Sequence, residues 1–190
     1  MSPPRLTLEQ TVLLVVDLQE KLLPIIEGSE RVVKQTARLI RGCAALGVPI
    51  IATEQYPQGL GPTVQPIRSL LLPGAGPVPG APVVSKVKFS ASVEDVRKWI
   101  AQTGRTTVLL AGIESHVCIM QTALDLTASG HVVAVATDAI GSSRRSDHET
   151  AMLRLVQAGV IPVTVEMALL EMVHEAGTSR FKAVLPVLKG

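Results

Sequence analysis

Six short β-rich runs alternate along the chain with segments of helical length, and most of the runs are apolar at nearly every position. These two observations predict an α/β fold with three α/β/α layers around a doubly wound, six-stranded parallel sheet in Rossmann-like order. A strand with one wet face alternates polar and apolar residues, so unbroken apolar runs mean that both faces are covered. In a βαβ order, that burial calls for helices on each side of the sheet.

The runs are Val12 to Asp17, Val48 to Thr53, Val83 to Lys86, Thr107 to Ala111, Val132 to Ala136 and Val160 to Thr164. Between the first two, a helix should begin at Ser29 and end at Gly47. Ser92, with Asp95 three residues on, reads as a capping box for a helix over Val96 to Thr103. Further helices should cover Val117 to Ser129, stopped by Gly130, and Asp147 to Ala158, stopped by Gly159; both glycines suit the C′ position. Gln55 to Pro82 is crowded with Pro and Gly around a short apolar piece, Ile67 to Leu72. A connection of this length within a compact domain is uncommon and often covers a site.

A chain of 190 residues suits one domain spanning 1–190, since a chain in this range buries roughly 70% of the surface it exposes when unfolded. The 47% hydrophobic and 18% charged content excludes a disordered chain, and the formal charge of +2 comes from scattered basic residues. No basic stripe tracks a phosphate backbone, so no nucleic-acid partner is expected. Arg144-Arg145 and the Lys86/Lys88 pair look locally basic; a solvated loop explains the first pair at least as well as an anion site does. Cys43 and Cys118 are too few for a disulfide framework and are expected as reduced thiols. No signal-like start and no apolar run near the roughly 18 residues of a membrane span is present, which points to a cytoplasmic protein with no membrane partner.

In an open parallel sheet the ligand crevice lies beyond the carboxyl ends of the strands. Asp17 closes the first run, Lys86 closes the third, and the fourth leads through Gly112-Ile-Glu-Ser-His-Val to Cys118 in the first turn of the next helix. A thiol there faces unpaired backbone N–H groups, and a neighbouring ammonium lowers its pKa further, so the thiolate is expected to be favoured. A carboxylate can take and return protons during acyl transfer, and backbone N–H groups leading into the helix can hold the oxyanion. A plainer reading stands beside this one: buried cysteines at helix starts are common, a strand-end Asp can cap a loop, and Lys86 can be a surface residue.

Three segments, Leu14-Val-Val-Asp17-Leu-Gln19, Lys86-Val-Lys-Phe-Ser90 and Ala111-Gly-Ile-Glu-Ser-His-Val-Cys118, resemble those of the isochorismatase-like cysteine hydrolases in order and distance across nearly the whole chain. The resemblance implies a catalytic set of Asp17 as base, Lys86 as support for the thiolate and Cys118 as nucleophile, acting through a thioester-like intermediate. Lys88 competes with Lys86, since residues two apart on a strand share a face, and the family's spacing to Phe-Ser favours Lys86. The resemblance also implies a cis peptide between Ile113 and Glu114, with the backbone N–H groups of Glu114 and Cys118 as oxyanion hole.

The segments Thr53 to Gly61 and Asp138 to Arg144 are most similar to the isochorismatase domain-containing group. Metal-dependent nicotinamidases carry histidines after the second strand, and none occurs here between Met1 and Arg105, so neither metal nor cofactor is expected. Cys118 argues against vinyl-ether hydrolysis. The implied activity is hydrolysis of a small carboxamide or related acyl compound, with a nicotinamidase-like amidase and a non-catalytic binding module as alternatives.

Gln19, Glu54, Gln55, Tyr56, Phe89, Ile113 and His116 are candidate pocket residues, though Glu54 to Tyr56 can equally anchor the long loop and His116 suits a wall better than a base. His131, His148 and His174 show no metal-ligand spacing. Cys43 reads as a small core residue. With so few aromatics, the pocket suits a small or aliphatic substrate. The superfamily commonly forms assemblies, so a homo-oligomer, dimer or tetramer, is expected; the apolar helix Met167 to Val173 suits such an interface or the core.

Overall fold

The computed structural model describes residues 4–72 and 80–189. Its elements in chain order are β1 (Thr11–Val16), α1 (Ser29–Leu46), β2 (Ile50–Gln55), α2 (Pro57–Leu60), α3 (Gln65–Leu71), β3 (Val83–Lys86), α4 (Glu94–Thr103), β4 (Thr107–Ile113), α5 (Met120–Ala128), β5 (Val132–Gly141), α6 (Arg145–Gln157), β6 (Ile161–Val163), α7 (Val165–Val173) and α8 (Ser179–Lys189). The six strands form one parallel sheet in the order β3-β2-β1-β4-β5-β6, as the unbroken apolar runs require.

The side-chain period of two divides this sheet into two cores. Leu13 and Val15 of β1 join Leu109 and Ala111 of β4 in packing against α1, α3 and α7. Val12, Leu14 and Val16 join Val108 and Leu110 in packing against α4, α5 and α6. Every residue of β1 and β4 is buried, and each large apolar side chain so removed from water contributes about 1.5–3 kcal/mol.

Helix punctuation follows the sequence with local corrections. Gly47 and Gly104 end α1 and α4 in the left-handed conformation. Gly28, also left-handed, caps α1 ahead of Ser29, and α4 begins at Glu94 after Val93 with no side-chain cap, so the Ser92/Asp95 capping box does not form. Inside α1, Gly42 lets α7 pack closely: a Cβ there would lie 2.5 Å from Leu169 Cδ2 and would push that side chain aside.

Two features depart further from the sequence pattern. β5 continues to Gly141 past Thr137 and Asp138, whose polarity suggests a strand end. Thr137 Oγ1 donates to the Val163 carbonyl and Asp138 Oδ1 accepts the Val165 N–H at the start of α7, so tertiary partners satisfy both. The last helix, α8, carries Pro186 in its interior, which disguises it in the sequence. It docks on α1 through Arg38, which donates to the carbonyls of Val187 and Leu188, each at 2.9 Å. The long connection after β2 holds α2 and α3; its stretch 73–79 lies outside the described residues.

Candidate active site

The sheet order brings Asp17 and Lys86 to one rim, with β2 between their strands. Adjacent strands lie about 4.8 Å apart, so a lysine on β3 must extend across the end of β2 to reach β1, and its length permits this. Asp17 turns off β1 with φ of 52°, a left-handed conformation that Asp tolerates better than bulky residues. Lys86 Nζ lies 2.6 Å from Asp17 Oδ2, with both side chains fully buried. Thr53 Oγ1, from β2, donates to Asp17 Oδ1 at 2.8 Å.

Oδ2 has the ammonium as its charge partner, yet no donor within the protein is aligned to hydrogen-bond it. Lys86 Nζ instead directs its hydrogens to Gln55 Oε1 at 2.7 Å, the Phe89 carbonyl at 2.9 Å and the Lys88 carbonyl at 3.1 Å. Lys88 itself is exposed and contributes only that carbonyl. Of the two competing lysines, the structure therefore places Lys86 against Asp17.

Cys118 enters from the other side. Gly112 has φ of +120°, and a Cβ on it would lie 2.0 Å from the Val16 carbonyl oxygen, so only glycine permits β4 to pass this close to β1 beside Asp17. The Ile113–Glu114 peptide is cis, as the resemblance implies. Ser115–Ile119 then form one wide π turn before α5 and carry Cys118 to the rim; such turns recur at functional sites. Thr122 Oγ1 donates to the Cys118 carbonyl and accepts the Ala91 N–H, tying this turn to the loop after β3.

The Asp17 carboxylate, the Lys86 ammonium and the Glu114 backbone all act on the Cys118 thiol, which sits beside the pair. Burial, followed by the Asp17 charge, pushes the Cys118 thiol up to about 12, against the lowering effects of Lys86 and Glu114. This corrects the expectation of a favoured thiolate. The nearby ammonium acts as expected, but a cysteine only 6% exposed beside a carboxylate loses more from desolvation than the ammonium restores. Burial raises Asp17 as well, outweighing Lys86 and the hydrogen bonds that lower it. The resting arrangement is thus a neutral thiol beside a carboxylate of increased basicity.

The other sequence candidates separate into three groups. Gln19 and Ile113 are fully buried. Glu54 Oε1 accepts both the N–H and the Oγ1 of Thr63, each at 2.7 Å, so it anchors the connection after β2. Gln55 is engaged with Lys86. Tyr56 and Phe89, 53% and 55% exposed, and half-buried His116 have free surface. Tyr56 holds a left-handed φ of 36°, unusual for a bulky residue.

His116 Nδ1 lies 3.0 Å from Ser142 Oγ, with Glu114 Oε2 at 3.9 Å, while the Ser143 N–H donates to that same Oε2 at 2.8 Å. These contacts fasten the loop carrying Glu114 to the end of β5. Sequence reasoning missed Thr53, Thr122 and the Ser142-Ser143 pair. Thr53 had a legible signal, as the polar residue closing a run predicted to end at the same rim. Arg144 is exposed, and Arg145, 79% exposed at its side chain, pairs with Glu149 at 2.7 Å. Cys43 is fully buried on α1, as a core residue should be. Among the described residues no group of three or more His, Cys, Asp or Glu side chains is placed to hold a metal ion.

The chain was compared with known families and structures. The family model for the isochorismatase domain matches residues 11–167. Isochorismatase domain-containing protein 2 of Danio rerio is 39% identical over 185 residues, covering 97% of this chain and 89% of the relative. A solved structure named MAR1 ribonuclease, from Caenorhabditis elegans, superposes with a TM-score of 0.90 at 33% identity over 98% of this chain and 93% of that one. The fold is shared with the YcaC gene product of Escherichia coli, described as an octameric hydrolase of unknown specificity, at a TM-score of 0.87 and 23% identity over 99% and 91% of the two chains.

Proposed function

This chain belongs to the isochorismatase domain family, a family of hydrolases, and from that membership we propose that it hydrolyses a small carboxamide or related acyl compound through a covalent intermediate on Cys118. The observation that carries the reading is the buried Asp17–Lys86 pair, 2.6 Å apart, with the buried Cys118 thiol close enough to feel both charges. A structural ion pair has no need of a neighbouring thiol.

The chemistry follows from the neutral resting thiol. As Sγ attacks the carbonyl carbon, the thiol proton passes to Asp17 Oδ2, so no free thiolate accumulates. Negative charge builds on the substrate oxygen, and the Glu114 and Cys118 N–H groups are the proposed donors to it. Asp17 returns the proton to the leaving nitrogen as the C–N bond breaks. Water then attacks the thioester, gives a proton to Asp17, and the acid leaves as that proton returns to Sγ. Lys86 stays charged throughout and offsets the negative charge on Asp17 and the sulfur. No step calls for a metal or cofactor.

The test is amine or ammonia release from a panel of small aliphatic carboxamides that also contains nicotinamide, with cleavage of an RNA oligomer followed separately by strand length. The expected result is turnover of one or more amides that is lost in Cys118→Ala. Nicotinamide as the best substrate would select the nicotinamidase-like alternative. RNA cleavage that survives Cys118→Ala would overturn the thiol reading, and a panel without turnover, with an inert Cys118, would favour a non-catalytic binding module.

A further inference from the structure

Gln19 and Gln55 both read as pocket residues in the sequence, and the structure gives them different work. Gln19 is fully buried. Its Oε1 accepts the Gln55 N–H at 2.7 Å, and its Nε2 donates to the Gln55 carbonyl at 2.9 Å and the Gly61 carbonyl at 2.7 Å. An amide nitrogen has two hydrogens, so both donors of Gln19 are consumed. The side chain grips the last residue of β2 by both its backbone groups, much as a further strand would.

Gln55, fixed in this way, aims its own amide at Lys86. Oε1 accepts from Nζ at 2.7 Å, and Nε2 donates to the Val87 carbonyl at 2.8 Å. The ammonium has three hydrogens and four oxygens around it, those of Asp17, Gln55, Lys88 and Phe89. With its donors fully engaged, Lys86 is a fixed charge with none left over for a substrate. The acceptor at 55 also has to be uncharged. A carboxylate there would compete with Asp17 for the ammonium and place a second negative charge near a thiol already held protonated.

We propose that Gln19 and Gln55 are positioning residues, a two-glutamine relay that holds the Lys86 ammonium against Asp17, and that neither contacts the substrate. The proposal rests on the assignment of Lys86 as a catalytic partner. If it holds, Gln55 affects Cys118 only through Lys86.

Two measurements test it. The first is hydrogen exchange of the Lys86 ammonium, followed by 15N-resolved NMR in wild type, Gln19→Leu and Gln55→Leu. Slow exchange in the wild type, accelerated at least about tenfold in both variants, is expected for a fully hydrogen-bonded cation that loses its anchor; unchanged exchange overturns the relay. The second is the rate of Cys118 alkylation by iodoacetamide at fixed alkaline pH in Gln55→Leu, Lys86→Met and the double variant. Gln55→Leu should be slower by at least about threefold, and the double variant should match Lys86→Met alone within about twofold, because residues acting in series are not additive. Independent, multiplying effects, or an unchanged rate in Gln55→Leu, overturn the proposal. A Cys118 that the reagent never labels in the folded wild type counts against the nucleophile, while the ammonium exchange still decides the relay.

Discussion

At the scale of single residues, burial and neighbouring charges shift Asp17 and Cys118, and the pH dependence of the proposed reaction follows from that. Asp17 is held above its ordinary value of 3.8 by burial. Turnover should therefore rise with pH through an apparent pKa above 3.8, the acid limb of a kcat/KM profile, and Asp17→Asn should remove that limb with the activity. Cys118 does not ionise by itself until about 12, so no inflection near the ordinary thiol range should appear. Lys86→Met leaves the Asp17 carboxylate buried without its partner, a change that costs about 3–5 kcal/mol of stability; urea unfolding of that variant would measure it. The placement of the three residues at one rim was legible from strand ends and a helix start, and the resemblance implied them as a catalytic set. The state of the thiol was not, because proximity to a helix start and a lysine is visible in sequence whereas the depth of burial is set by tertiary packing, here the core on the α4, α5 and α6 side of the sheet.

At the scale of elements, the rim depends on how closely β1 and β4 approach. Gly112→Ala would place a Cβ 2.0 Å from the Val16 carbonyl oxygen at a φ that L side chains rarely adopt. It should lower the melting temperature and abolish turnover together, whereas Ala111→Gly, one residue earlier, should reduce stability by about 1 kcal/mol or slightly more and leave turnover measurable. Thermal melts paired with amide turnover separate the two outcomes. The strands were readable because a strand buried on both faces needs nothing but apolar residues. The continuation of β5 was hidden by Thr137 and Asp138, whose partners lie in β6 and α7, and α8 was hidden by Pro186. In each case a local signal for stopping is overridden by a contact distant in sequence.

For the whole molecule, the two cores on either side of the sheet give a stability that must weaken in alkali. Cys43 is fully buried, and burial holds its thiol protonated to about 12 against an ordinary 9.0. Its folded-state pKa is raised, so its contribution is intact below pH 9.0 and declines as pH rises toward 12. Each such thiol lowers the unfolding free energy by about 1.4 kcal/mol per pH unit in that window, and Cys43→Ala should reduce the slope by one proton's worth in urea melts between those limits. Sedimentation should give the mass of a dimer or tetramer, the assembly expected from the family resemblance; α7 turns Ala168, Leu169, Met172 and Val173 into the monomer core, and of its apolar residues only Met167 and Leu170 remain at the surface. No described helix is long and apolar enough to cross a membrane. The central claim is that Cys118 carries the acyl group, and peptide-mapped mass spectrometry after an acid quench tests it, using p-nitrophenyl acetate as a small activated acyl donor. An acetyl group on Cys118, formed with a burst of p-nitrophenol, absent in Cys118→Ala and slowed in Asp17→Asn, is the predicted result. Release of p-nitrophenol at the wild-type rate by Cys118→Ala, or an adduct confined to other residues, would contradict it.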